Sequence, residues 1–301
     1  MVHVRAAAVN FADVLVVEGT YQLLPPLPFT PGKELVGVVE AVGPAVDDLA
    51  VGDRVIAQME YGAFRELAVV RAELCVLVPA RMRDDEAAAF GLAHLTAHMA
   101  LVRRARFAAG ETVLVTGATG AVGSAAVRVA TLLGARVVAA ARDPCRAASL
   151  GESGADHVVG GDPATLRDQV AEATGGRGAD VVVETVGGEV FEACLRCVAW
   201  EGRLVVTGFA GGDVPTARAG YLLVKNIGLL GLQVSDYRDR EPASMQAVLR
   251  WLLDAYDRGM LRVSLACSYP LEQVRAALAR VREGGLDRRV VLSLDTRRPG
   301  D

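Results

Sequence analysis

The sequence predicts an α/β protein with a doubly wound parallel sheet in the middle of the chain and a mostly β segment ahead of it. Two observations carry that expectation. The first is the run Glu111-Thr-Val-Leu-Val-Thr-Gly-Ala-Thr-Gly-Ala-Val-Gly123, an apolar strand leading through a glycine-rich turn into a helix, with a second apolar run at Ala135 to Ala141. The second is a change of rhythm. Residues 1 to about 103 hold short apolar runs cut by turns and no steady helical period, whereas residues 104 to 239 alternate strand and helix.

Taken in order, Leu35 to Val42, Asp53 to Ala57 and Phe64 to Val70 read as strands. Thr112 to Thr116 opens the wound sheet, and Val181 to Val186 and Arg203 to Phe209 continue it on either side of a helix over Glu189 to Trp200. Leu222 to Val234 reads as its last strand, a long apolar run that would be hazardous as an exposed edge. Pro242 to Arg258 and Leu271 to Glu283 are amphipathic helices, and Arg289 to Leu294 is a final strand.

Composition narrows the function classes. The 301 residues suffice for two domains, 52% are hydrophobic, and no apolar run approaches the roughly 18 residues of a membrane span. A net charge of -4 with arginines scattered among acids offers no basic stripe for nucleic acid. No secretory signal is visible at Met1, and five cysteines are sparse for this length, so free thiols in a reducing cytoplasm are expected. Cys194 and Cys197 form a single CxxC inside a helical pattern, which reads as buried thiols rather than a metal site. His94 and His98 share one helical face without an HExxH pattern and read as core or surface histidines.

The glycine turn carries the chemistry. Small residues at Ala118, Gly120 and Gly123 permit a tight turn, close approach to a pyrophosphate and close helix packing. The helix start over Ala118, Thr119, Gly120, Ala121, Val122 and Gly123 then presents N–H groups to phosphates. Ala141 occupies the position of the acid that grips the ribose of NAD. Arg142 and Arg146 follow, suited to the 2′-phosphate of NADP, so NADPH is the expected cofactor. A register moved by two residues would instead make Asp143 an NAD-type acid.

Further stretches carry a family resemblance: Val4-Arg-Ala-Ala-Ala-Val-Asn10-Phe-Ala-Asp13, Gly19-Thr-Tyr21, Pro31-Gly-Lys-Glu34-Leu-Val-Gly-Val-Val-Glu-Ala-Val-Gly43, Val51-Gly-Asp-Arg-Val55 and Leu95-Thr-Ala97, together with Thr116 to Gly123. Over nearly its whole length the chain resembles the zinc-free medium-chain dehydrogenase/reductases of the quinone oxidoreductase, zeta-crystallin-like, branch. The resemblance implies a GroES-like catalytic domain, residues 1–103 and 240–301, clasping a Rossmann domain, residues 104–239. It implies that relatives begin with strands ahead of Val2, leaving the first sheet here with an exposed edge. It also implies a homodimer paired through the last Rossmann strand.

The zinc-ligand positions of the alcohol dehydrogenases correspond to Asn10, Lys33 and Leu92, and Gln58 to Gly62 lacks the structural zinc loop. The implied reaction is hydride transfer to a quinone or other α,β-unsaturated carbonyl without zinc. By the same resemblance, Asn10 lies beside nicotinamide and substrate, against the plain reading of a strand-end cap. Tyr21 resembles in placement a tyrosine that in enoyl-thioester reductases orients or protonates the reduced enoyl group, against a turn tyrosine packed before Pro25, Pro26 and Pro28. Thr96 contacts the cofactor, against a core helix threonine, and Thr207-Gly208-Phe209 walls the cleft. Leu15 replaces a second tyrosine common in quinone reductases. Lys33 is either an anchor for a carboxylate or phosphate or a surface lysine.

Two other functions are carried: an enoyl-thioester reductase, favoured by Tyr21, and a non-catalytic NADPH-binding protein, favoured by the absent opening strands. The spacing Tyr221-Leu-Leu-Val-Lys225 imitates a short-chain dehydrogenase pair but belongs to the last-strand run.

Overall fold

The structure, a computed structural model, describes residues 1–143, 147–263, 265–285 and 289–294. It divides into two compact units, one formed by Met1–Leu95 and the chain from Ser235 onward, the other by Thr96–Val234. The sequence placed these boundaries a few residues later, at 103/104 and 239/240.

The first unit opens with β1 (Val2–Val9), α1 (Phe11–Val17), β2 (Glu34–Val39), β3 (Arg54–Gln58), β4 (Leu67–Ala68), β5 (Cys75–Leu77) and the start of α2 (Asp84–His98). A π-helical turn, Met99–Arg104, follows α2. The second unit carries β6 (Thr112–Val115), α3 (Ala121–Leu132), β7 (Arg136–Ala141), α4 (Ala147–Glu152), β8 (His157–Gly160) and α5 (Leu166–Ala173). It continues through β9 (Ala179–Glu184), α6 (Gly188–Cys197), β10 (Val198–Val206), α7 (Ala219–Lys225) and β11 (Gly228–Gly231). The chain then returns to the first unit as α8 (Val234–Arg240), α9 (Pro242–Asp257), β12 (Leu265–Pro270), α10 (Val274–Glu283) and β13 (Arg289–Ser293).

The second unit's sheet is parallel, in the order β11-β10-β9-β6-β7-β8. Numbered from β6, that is the 3-2-1-4-5-6 order of doubly wound folds, with its switch point between β6 and β9. All four residues of β6 are buried, as expected where helices cover both faces and strands become continuous apolar runs. The first unit's sheet runs β12-β13-β1-β2-β3-β5, with β4 against the start of β1. Its core gathers Val4, Leu35, Val55, Phe64, Val290 and Leu292. Here β1 pairs with β2 on one side and with β4 and β13 on the other, so the expected exposed edge does not fall at the first strand.

Four expectations are corrected. Only Leu67–Ala68 of the Phe64 to Val70 run pairs as strand. The helix over Glu189 to Trp200 stops at Cys197, and Val198 already begins β10. The apolar run Leu222 to Val234 is not one strand: α7 holds its first part, Asn226 ends that helix in the left-handed region at φ 52°, and only Gly228–Gly231 pairs. Finally, the first 103 residues are less strand-rich than expected: they contain α1 and the 15-residue α2, of which the sequence marks only the part around His94 and His98 as helical. Ala87, Ala88, Ala89, Ala93 and Ala97 are all buried, so no polar face marks a helical period.

Candidate active site

In the second unit, β6 ends at the switch point and the glycine turn follows. Gly117 has φ 55°, where a side chain is strained, and a Cβ there would lie 2.5 Å from Thr185 Oγ1. At Gly123 a Cβ would overlap the Gly117 carbonyl and lie 2.9 Å from Ala118 Cα. The first turn of α3 thus packs directly on the turn that precedes it. Ala118 is buried, its N–H donating to Ala140 O at 3.1 Å, while Thr119, Gly120, Ala121 and Val122 keep surface exposure at the start of the 12-residue α3. This is the cradle that a dinucleotide pyrophosphate requires.

Residues that sequence reasoning missed fix the turn. Glu184, buried at the end of β9, accepts N–H groups from Val186 at 2.7 Å and Gly187 at 3.0 Å, and the Thr116 hydroxyl at 3.2 Å. Burial pushes its carboxyl up, and these donors oppose the shift. Thr185 Oγ1 donates to Thr116 O at 3.0 Å, lacing β6 to β9. Gly117 was the detectable signal, as the first glycine after the strand; nothing local marks Glu184.

The wall residues lie at the same end of the sheet. Thr207 donates both its N–H, at 2.8 Å, and its hydroxyl, at 2.9 Å, to Glu184 O, and Gly208 carries the chain on to Phe209. A Cβ on Gly187 would sit 3.2 Å from the Phe209 ring. Arg142 is exposed just past β7, next to Gly161, whose N–H donates to Ala141 O. Asp143 is also exposed, and Arg146 lies outside the described residues. Lys225 donates to Val198 O at 3.1 Å, at the end of α6, a structural role that agrees with setting aside the Tyr221–Lys225 pair. Cys194 and Cys197 are buried on α6 and burial raises both thiols, which makes them poor metal ligands and nucleophiles.

In the first unit, Asn10 is the N-cap of α1 and is buried. Its backbone N–H donates to Asp13 Oδ2 at 2.8 Å. Its amide nitrogen donates to Glu34 Oε1 at 3.0 Å, and its amide oxygen accepts Arg289 Nη2 at 2.8 Å. Arg289 pairs with the same Glu34 oxygen at 3.0 Å, and Leu92 N–H donates to the other at 2.7 Å. Of the three positions aligned with zinc ligands, Asn10 and Leu92 therefore converge on Glu34, which is 0% exposed. Asn10 caps α1 through its backbone, while its carboxamide is held by Glu34 and Arg289.

Lys33 is corrected: it is neither a surface lysine nor an open anion anchor. It is 4% exposed and ion-paired with Glu60 at 2.5 Å, and its ammonium lies 4.4 Å from the centroid of the Tyr21 ring. Thr96 is buried in α2, close to where the chain passes from the first unit to the second. His94 stacks on Phe90 at 4.0 Å, and burial lowers His98 to about 4.

Burial pushes the Asp13 carboxyl from an ordinary 3.8 up to about 7, against the lowering effect of the Asn10 N–H. The native state then keeps a proton that the unfolded chain releases, so stability falls as pH rises from 3.8 to about 7 and levels off above. Asp13→Asn is expected to flatten this slope by up to about 1.4 kcal/mol per pH unit. Urea unfolding across that pH range measures it, and an unchanged slope would show that Asp13 is ionised throughout.

A glycine-turn α/β unit with the dinucleotide-binding strand order, joined to a largely antiparallel β unit, defines a two-domain dehydrogenase architecture. Residues 1–80 match the alcohol dehydrogenase GroES-like domain and residues 121–254 the zinc-binding dehydrogenase domain. The chain is 37% identical to quinone oxidoreductase-like protein 2 of Rattus norvegicus over 294 residues, 97% of this chain and 84% of that protein. A mycobacterial protein solved in complex with NADPH superposes with a TM-score of 0.91 at 31% identity, covering 97% of this chain and 90% of that one. The CurK enoyl reductase superposes with a TM-score of 0.88 at 26% identity, with the same coverages. The chain belongs to the medium-chain dehydrogenase/reductase family of oxidoreductases, in its quinone oxidoreductase-like branch.

Proposed function

We propose that the protein transfers hydride from NADPH to a small quinone or related α,β-unsaturated carbonyl, without zinc. The observation that carries this reading is the combination at the ends of β6 and β7: a tight strand-to-helix turn that can pack as it does only while Gly117 and Gly123 lack side chains, and Arg142 following Ala141 where NAD enzymes carry an acid. When bound, the nicotinamide supplies the hydride. The N-terminal turn of α3 would hold the pyrophosphate, and Arg142 would pair with the 2′-phosphate. Thr207, Gly208 and Phe209 border the nicotinamide end, and Thr96 contacts the cofactor from α2.

The zinc-ligand positions favour metal-free chemistry by their identities: an amide engaged with Glu34 and Arg289, an ammonium engaged with Glu60, and an aliphatic chain. A bound nicotinamide would supply hydride to the conjugated acceptor; Tyr21 would give its phenolic proton to the electron-rich oxygen or carbon of the reduced acceptor and regain one from water. Asn10, held rigidly, borders the acceptor.

A second reading, an enoyl-thioester reductase, is favoured by Tyr21 and by the similarity to the CurK enoyl reductase. NADPH oxidation measured with ortho- and para-quinones and with crotonyl and acrylyl thioesters separates the two. Quinone turnover is expected to dominate and to fall about 10- to 100-fold in Tyr21→Phe. Dominant thioester turnover would establish the second reading, and NADPH binding with no turnover of any acceptor would identify a non-catalytic binder.

The assembly we propose is a homodimer formed through β11, an edge strand in the described residues, next to Leu223 and Val224, which are 77% and 80% exposed. The same preparation on a sizing column should run at twice the chain mass; a monomer mass would refute this. No helix among the described residues is long and apolar enough to cross a membrane. The unbridged thiols of Cys75, Cys194, Cys197 and Cys267 suit work in the cytoplasm.

A further inference from the structure

A buried ammonium costs several kcal/mol unless it is paired, so the placement of Lys33 requires an anchor. The structure provides one in successive layers. Lys33 Nζ donates to Glu60 Oε1 at 2.5 Å and to Glu60 O at 3.2 Å. The second carboxylate oxygen of Glu60 accepts Arg238 Nη1 at 3.0 Å. Arg238, itself buried on α8, is held by both oxygens of Asp239, at 2.9 and 2.8 Å, and Asp239 also pairs with Arg71 at 3.4 Å. At the inner end of this chain of charges the ammonium faces the Tyr21 ring, 4.4 Å from its centroid, within the range of a cation–π contact. These residues all lie in the first unit.

We propose that Lys33 is a positioning residue for Tyr21: anchored by Glu60 and Arg238, it fixes the phenol ring and sets a buried cation against it, making Tyr21 a stronger proton donor than a free phenol. An opposite charge within about 4–6 Å favours the ionised form of a titratable group. The phenolate left when the Tyr21 O–H bond breaks, with the electron pair on oxygen and the proton on the substrate, is such a form. The charged groups around this pair are Lys33 from the turn before β2, Glu60 from the segment after β3, Arg238 and Asp239 from α8, and Asp13 from α1, whose field reaches Lys33. Glu60 and Arg238 offset one another, as do Asp239 and Arg71, and the ammonium is the charge set against the ring.

The catalytic use of this pair rests on the reading of Tyr21 as proton donor; the effect of the cation on the phenol does not. Ultraviolet difference titration of the intact protein, with and without Tyr21→Phe, isolates the ionisation of that one phenol. In Lys33→Met the Tyr21 midpoint is expected to rise by about one pH unit or more, and in Lys33→Arg to stay low. Lys33→Gln, which removes the charge but keeps a polar side chain for Glu60, is expected to raise the midpoint in the same way and serves if Lys33→Met does not fold. Quinone turnover in Lys33→Met should show kcat reduced about tenfold near neutral pH with KM little changed. A Tyr21 midpoint unmoved by these substitutions would overturn the proposal. Midpoints that move as expected while Tyr21→Phe retains full turnover would uphold the ion–ring coupling and refute the donor role of Tyr21.

Discussion

Replacing Arg289 by methionine is expected to destabilise the protein by about 3–5 kcal/mol, the cost of stranding one member of a buried ion pair. Arg289 is buried and donates to Glu34, to the Asn10 amide oxygen and to Ala89 O at 3.1 Å. Without it Glu34 keeps the donors of Asn10 and Leu92 but loses its counter-charge among the described residues, and the Asn10 oxygen loses its donor. Burial already pushes the Glu34 carboxyl up, with the Arg289 charge as the leading opposing influence. In Arg289→Met that restraint goes, the native state holds its proton to higher pH, and the loss relative to the parent should grow as pH rises through and beyond the raised Glu34 value of the parent protein. Neutralising both partners, in Glu34→Gln with Arg289→Met, should recover much of the loss, because no buried charge is then left alone. Urea unfolding of the three variants measures this. A single-variant loss below about 1 kcal/mol would mean that water reaches Glu34.

The second large effect is expected at Gly123. In Gly123→Ala the new Cβ meets the Gly117 carbonyl oxygen, its carbon at 2.7 Å and Ala118 Cα at 2.9 Å. All three are backbone atoms, so no rotamer change relieves the overlap and the turn itself must move. Overpacking of this kind costs about 1–3 kcal/mol. The displaced atoms are those proposed to cradle the phosphates, so on that reading NADPH affinity should fall at least about tenfold. Gly220→Ala, at a helical position on α7 where a Cβ meets nothing within 4 Å, is the control and should leave affinity unchanged. Calorimetric titration with NADPH reads both. Equal affinity in Gly123→Ala would show that the pyrophosphate does not use this turn.

The parallel strands were legible because helices cover both their faces: Thr112 to Thr116, Ala135 to Ala141, Val181 to Val186 and Arg203 to Phe209 each overlap an observed strand. The amphipathic helices α9 and α10 were legible from their apolar stripes. The failures have physical causes. In α2, buried alanines on several sides erase the period, and in Leu222 to Val234 one left-handed residue, Asn226, divides a uniform apolar run. Candidate site residues could be picked out one by one along the chain, but the hydrogen-bond and ion-pair wiring around them could not. Glu34 and Arg289 are 255 positions apart, and Lys33 and Arg238 reach the same carboxylate of Glu60 from distant segments. No local pattern announces such pairings, which exist only once β13 lies beside β1, β1 beside β2, and α8 has returned to the first unit.

The central claim is metal-free hydride transfer from NADPH to a conjugated carbonyl. Its most direct test is the rate of NADPH oxidation by the purified protein with a small para-quinone, before and after exhaustive chelation, with NADH run in parallel. The account predicts turnover that favours NADPH and is unchanged by chelation. Absence of turnover with quinones and enones alike, or activity restored only by added zinc, would contradict it.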